Sequence, residues 1–191
     1  QAGLPKGLEP DEVRRILTSC DTTSDSGVRD LAILTLLVRL GLRRCEVSRL
    51  GLDDIDWRAG TICVHGKGNC LEQLPLPADV GHYLAQYLRH ARPAKARGRT
   101  VFVRHFAPYN ALSASRVSTI VADAARRAGV GRVHAHRLRH TAATQLLRAG
   151  ASLPEVGQVL RHRRAQTTAI YAKVDHDTLR VIARPWPEDA Q

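Results

Sequence analysis

The sequence predicts a helix-rich α+β domain carrying one small antiparallel sheet. Three observations lead there. A run from Leu31 to Leu40 is apolar almost all round, short alternating segments occupy the stretch between Ile55 and Leu76, and amphipathic stretches fill most of the rest. The 191 residues give room for one well-buried domain and not for two ordinary ones, so residues 1–191 are expected to form a single domain.

Pro10 followed by Asp11 and Glu12 starts the first helix, whose Val13, Ile16 and Leu17 make one apolar stripe on a surface element. From Asp30 onward Leu31, Ile33, Leu34, Leu36, Leu37, Val38 and Leu40 surround a helix axis, and the pattern stops at Gly41. That combination marks a buried helix with a glycine cap. Leu42 to Leu50 forms another helical piece. Ile55–Trp57, Thr61–His65 and Leu71–Leu76 are expected as strands, the last two joined around Gly66-Lys67-Gly68-Asn69. Ala78 to His90 is amphipathic and leads into a basic connection containing Arg89, Arg92, Lys95, Arg97 and Arg99. Further helices are expected over Ser113–Ala128, Arg137–Ala149, Pro154–Arg161 and Thr167–Val174, with breaks at Gly129–Gly131 and Gly150–Ser152.

Lys and Arg number 29 against 18 acidic residues, a net charge of +11, which suits a polyanionic partner. Residues 1–100 hold 15 basic and 12 acidic residues, net +3, whereas residues 101–191 hold 14 and 6, net +8. The second half therefore carries the field. Because 25 of the 29 basic residues are Arg, a GC-rich coding bias is a competing explanation for the charge alone. Cys20, Cys45, Cys63 and Cys70 show neither a CxxC pair nor disulfide-framework spacing and are expected as buried or half-buried small residues. The longest apolar stretch is broken by Thr35 and Arg39, and no apolar run follows the N-terminus, so a membrane span and a signal peptide are not expected and a cytoplasmic location is.

Several polar residues stand in a telling order. Gly41-Leu42-Arg43-Arg44-Cys45-Glu46 sets an Arg after a glycine-capped helix with a carboxylate three residues on; Lys67 lies in the hairpin turn; His136-Arg137-Leu138-Arg139-His140 opens a helix; Leu160-Arg161-His162 closes another; and Tyr171 sits in Thr167-Thr168-Ala169-Ile170-Tyr171. This series resembles the catalytic boxes of the tyrosine recombinase (phage integrase) family, from about Leu4 to about Val181. The resemblance implies the fold of that family's catalytic domain, mostly helical with a small antiparallel sheet. It also implies a cofactor-free DNA strand transferase in which Tyr171 forms a 3′-phosphotyrosyl link and neither ATP nor a metal takes part. Its N-terminal DNA-clamping domain has no counterpart in the 191 residues. The partners it implies are double-stranded DNA and three further copies of the chain on DNA, with a monomer expected in its absence.

The residue types fit that chemistry. Two guanidinium forks, Arg43 and Arg139, give planar bidentate recognition of phosphate oxygens. The Tyr171 hydroxyl, with an ordinary pKa about 10, needs a base, for which His136 is the candidate. Lys67, in a chain that otherwise favours Arg, can protonate the departing deoxyribose oxygen as an Arg cannot. His162 would donate to a nonbridging oxygen, and Glu46 would support the site from behind by orienting a catalytic neighbour. Arg44, Arg137, His140, Arg161, Arg163 and Arg164 are expected to contact DNA. Arg161 departs from the family pattern, which usually has Gly before the second His.

Other readings are weaker. Gly60 lies one residue too far from Gly66-Lys67 for a P-loop, and Gly68 replaces its Ser or Thr. His134, His136 and His140 suggest a metal, but the first two do not share a helical face. A type IB topoisomerase resembles the same family in fold and chemistry, and a DNA-binding relic without activity is the alternative from outside the enzymes.

Overall fold

The computed structural model describes residues 7–66 and 71–161. Seven α-helices and a three-stranded sheet lie within them, so the expected α+β composition is the observed one.

Helix α1 (Pro10–Thr18) begins at the expected proline, and Glu12 Oε2 accepts the Glu9 N–H at 2.8 Å, satisfying one of the donors a helix start leaves unpaired. Its Val13 and Ile16 are buried. Helix α2 (Asp25–Arg39) starts five residues earlier than its apolar pattern indicates. Ser24 Oγ caps the Gly27 N–H at 3.1 Å, and a Cβ at Gly27 would stand 1.9 Å from the Asp21 carbonyl oxygen, so only glycine fits that first turn. Beyond it Leu31 to Val38 are buried without interruption. Thr35 enters this apolar surround by donating its hydroxyl to the Leu31 carbonyl at 2.8 Å. Helix α2 packs against α1 and every later helix up to α6, making it the axis of the core.

After α2 come α3 (Arg44–Arg49) and the strands β1 (Ile55–Asp56), β2 (Thr61–His65) and β3 (Leu71–Pro75), antiparallel in the order β1-β2-β3. The register Ile62↔Leu74 and Val64↔Glu72 turns Ile62 and Val64 into the core while β3 remains largely open to solvent. The expected Ala78–His90 helix is α4 (Ala78–Gln86) followed by a π-turn over Tyr87–Ala91, closed by the Arg92 N–H on the Tyr87 carbonyl at 2.7 Å. This wider turn keeps both Tyr87 and Ala91 buried, with Tyr87 stacked on Phe102 at 5.4 Å.

The basic connection behind it is less of an open surface than its sequence implies. Arg92 turns inward onto the Val101, Gly98 and Thr100 carbonyls at 3.2, 2.7 and 3.1 Å, and Arg99 pairs with Asp53.

Three helices complete the described residues: α5 (Ala114–Arg127), capped by Ser113, α6 (Ala135–Arg148) and α7 (Leu153–Val159), capped by Ser152. Helix α6 begins two residues before the expected Arg137, which places His136 inside its first turn. The expected helix over Thr167–Val174 lies outside the described residues, as does Cys70. Cys20 is buried, and Cys45 and Cys63 are half-buried. No described helix is long and apolar enough to cross a membrane.

Candidate active site

The site assembles where α2 ends. Gly41 takes φ +56°, the left-handed conformation that lets the chain leave α2 sharply, and a Cβ there would come within 2.6 Å of Leu160 Cδ2. The turn brings Arg43 to the N-cap of α3. Three residues on, where a helix start favours a carboxylate, Glu46 accepts the Arg43 backbone N–H at 2.7 Å and its Nη1 at 2.6 Å. The Arg43 side chain keeps 38% of its surface, so part of its fork faces outward.

Glu46 is buried and also receives Arg161 Nη2 at 2.8 Å. Burial alone would raise its carboxyl, but Arg161, then the Arg43 N–H and guanidinium, outweigh that and hold it below its ordinary value.

On α6 the spacing of three puts His136 and Arg139 on one face, and the spacing of four adds His140. Arg139 is buried and donates to the Gly41 carbonyl at 2.5 Å and to the Leu160 carbonyl, tying the end of α2 to the end of α7. His136 is exposed at the helix start, and its ring meets that of His140 edge to face at 4.3 Å. Burial and the cations Arg139 and Arg43 push His136 below its ordinary value; burial, His136 and Arg139 push His140 down to about 4. Both imidazoles are therefore neutral near pH 7, as a proton acceptor must be.

Leu42, Arg43, Arg44, Cys45, Ser118, His134, Ala135, His136 and Arg139 line one pocket of about 460 Å3. Arg43 and Arg44 thus share a wall with His136 and Arg139, which lie more than ninety positions further along the sequence. Arg44 is exposed and reaches Ser118 Oγ at 3.3 Å, while Arg137 lies half-buried on α6. Ser118 and His134 line the pocket without having been singled out for it. His134 could have been found as the N-cap of α6, whereas Ser118 arrives only because α5 packs on α3.

Two of the expected DNA contacts are placed differently. His140 is 4% exposed and Arg161 7%, so neither presents a surface to a duplex. His140 points into the core beneath His136, and Arg161 is drawn inward by the Glu46 carboxylate. Lys67, His162, Arg163, Arg164 and Tyr171 lie outside the described residues. Among the described residues no cluster of His, Cys, Asp or Glu is placed to hold a metal ion.

The phage integrase family model matches residues 6–177. A Sinorhizobium fredii (strain NBRC 101917 / NGR234) protein that carries an integrase/recombinase name, y4rA, is 48% identical over 193 residues, covering 100% of this chain and 47% of its own length. The tyrosine recombinase XerD of Listeria innocua is 37% identical over 176 residues, with 90% of this chain and 59% of XerD covered. The chain thus spans about half the length of these two relatives. Among solved structures, XerA recombinase superposes with a TM-score of 0.83 at 25% identity, covering 97% of this chain and 66% of that one. XerH bound to its difH substrate after cleavage gives 0.81 at 26%, covering 97% and 54%. A glycine-turned arginine, an HxxR helix start, this fold and a family match over nearly the whole length agree, and the chain belongs to the phage integrase family.

Proposed function

We propose that the chain is the catalytic domain of a site-specific DNA recombinase that works through a covalent protein–DNA intermediate. The observation that carries this reading is the convergence of Arg43, Arg139 and His136 on one pocket in a member of the phage integrase family. A phosphodiester seated there meets the outward part of the Arg43 fork, and the Arg139 edge lies beside it. Fixed cations of this kind stabilise the charge that builds on phosphoryl oxygens during transfer.

In the proposed step the Tyr171 hydroxyl oxygen attacks phosphorus while His136 takes its proton. The bond from phosphorus to the 5′ oxygen breaks, and Lys67 protonates the departing oxygen. The products are a 3′-phosphotyrosyl link and a free 5′-hydroxyl, and the reverse reaction with a partner strand completes exchange. His162 donates to a nonbridging oxygen, and Arg44 on the pocket wall and Arg137 on α6, with Arg163 and Arg164, track the duplex backbone. Bond energy is kept in the link, so the step needs no cofactor. Double-stranded DNA is the partner, four copies act together on it, and the chain is a monomer without it, in the cytoplasm.

The test is covalent trapping on a library of nicked duplexes of randomised sequence, where the short strand released by cleavage diffuses away. The wild-type chain should yield a protein–DNA adduct and Tyr171→Phe none, with DNA binding retained. An adduct formed by the Phe variant would sink the assignment; relaxation of supercoils without recombinant product would favour a topoisomerase.

A further inference from the structure

The turn that ends α7 reaches more of the site than its own position suggests. Its Leu160 carbonyl accepts from Arg139 Nη2, and its Arg161 carbonyl accepts from Arg43 Nη2 at 3.3 Å, so two consecutive peptide oxygens hold Arg139 and Arg43. Arg161 occupies the place after the helix cap with φ +56°, a conformation that glycine adopts freely and side-chain-bearing L-residues avoid. Its side chain is 2% exposed and lies against two carboxylates. Nη2 reaches Glu46 on α3 at 2.8 Å, and Nε, buried and without a hydrogen bond among the described residues, stands 3.7 Å from Glu72 on β3. Nη1 donates to the Val159 carbonyl at 3.1 Å.

We propose that Arg161 is a positioning residue for the strand-transfer reaction: by sharing Glu46 with Arg43 it leaves Arg43 oriented and net cationic toward the pocket, and it ties that arginine to β3. This inference rests on the function proposed above. The charge count explains why a second cation matters. Glu46 with Arg43 alone is neutral, so the carboxylate would cancel the charge that must meet a phosphate. With Arg161 those three groups sum to one positive charge, which Glu72, 3.7 Å away and 37% exposed, offsets only in part because water screens it, and Glu46 has a counter-ion that needs nothing from the pocket. Glu72, on the strand that follows Lys67 in sequence, gives the same guanidinium a second anchor on the sheet. Lys would not replace it fully, because a point charge cannot span two carboxylates as a planar fork does.

The experiment measures the rate of adduct formation on the randomised nicked-duplex library against pH, for wild type, Arg161→Gly, Arg161→Gln and Arg161→Lys. Glycine suits the backbone, so R161G should fold; R161Q, which keeps most of the side chain, provides the same test if it does not. Both are expected to lose roughly tenfold or more in rate, as when a partner that orients a charged site group is removed. The acid limb of the profile should move to higher pH, because burial then raises a Glu46 carboxyl deprived of its main counter-ion. R161K should leave the limb in place and recover part of the rate, and in a Glu46→Gln background R161G should no longer move the limb. Wild-type rates in both neutral variants, or a loss of equal factor at every pH with the limb unmoved, overturn the proposal by reducing Arg161 to a structural residue. A wild-type chain that forms no adduct overturns the proposed function instead, and this inference with it.

Discussion

Helix α2 and the corner formed by α3, α6 and α7 are both shielded from water, yet they hold opposite chemistry. Along α2 the shielded groups are mostly aliphatic, Leu31, Ile33, Leu34, Leu36, Leu37 and Val38, the polar exceptions being Thr35 and Arg29, which pairs with Asp30. Each aliphatic side chain contributes roughly 1.5–3 kcal/mol by leaving water. At the corner the shielded groups are Glu46, Arg139, His140 and Arg161. Charges there have lost hydration, and what they recover from one another is at best comparable, so such a cluster adds little net stability. One region holds the fold together and the other spends that stability on holding cations in place, which is the arrangement a phosphate-handling site requires.

The contrast can be broken first at Arg43. Its replacement by Ala should slow adduct formation on the order of a hundredfold to a thousandfold, the range for loss of one preorganised donor to a developing oxyanion. The melting temperature should barely move, because Glu46 keeps Arg161. A large loss of stability with the cleavage rate per folded molecule intact would reverse the roles of the two regions.

Leu34→Ala is the converse. The side chain is fully buried at the centre of α2, and its truncation should cost about 2–5 kcal/mol in denaturant unfolding. The rate of adduct formation by the folded fraction should stay near wild type.

The smallest effect concerns acid. His140 falls from 6.5 to about 4 in the folded chain, so between these values the unfolded chain binds the extra proton and stability declines as pH falls. The contribution is full above about 6.5 and is lost as pH falls through the window. Glu46, held below its ordinary value, has the same sign at lower pH: its contribution is present above that value and is lost as pH drops through the depressed one. His140→Phe should flatten the upper part of this decline, read as unfolding free energy measured between pH 4 and 6.5. An unchanged slope would remove His140 from the account.

The two regions were also unequally legible in the sequence. Helix α2 announces itself because burial all round and a terminal glycine are local signals, and α5, α6 and α7 follow from caps and apolar spacing in the same way. The exceptions have local causes too: Gly27 hides the first turn of α2 behind a residue that disfavours helices, and the π-turn at Tyr87 follows from side chains that must both reach the core. In the corner the residue types and their order were readable, since HxxR fixes a shared face. The partners were not. Nothing near Arg161 in sequence says that it turns inward to Glu46, 115 positions away, or that Arg92 closes on carbonyls instead of facing a phosphate backbone. Pairings of that kind are set by which helices meet, and a single sequence does not write them down.

In the function proposed, this corner serves a covalent bond to DNA at Tyr171. Mass-spectrometric mapping of the nucleotide-bearing peptide, after nuclease and protease digestion of the trapped adduct, addresses it most directly. The expected result is a single modified peptide spanning Tyr171, with the nucleotide attached through its 3′ phosphate to the phenolic oxygen. Attachment at any other residue, or through a 5′ phosphate, would contradict the account.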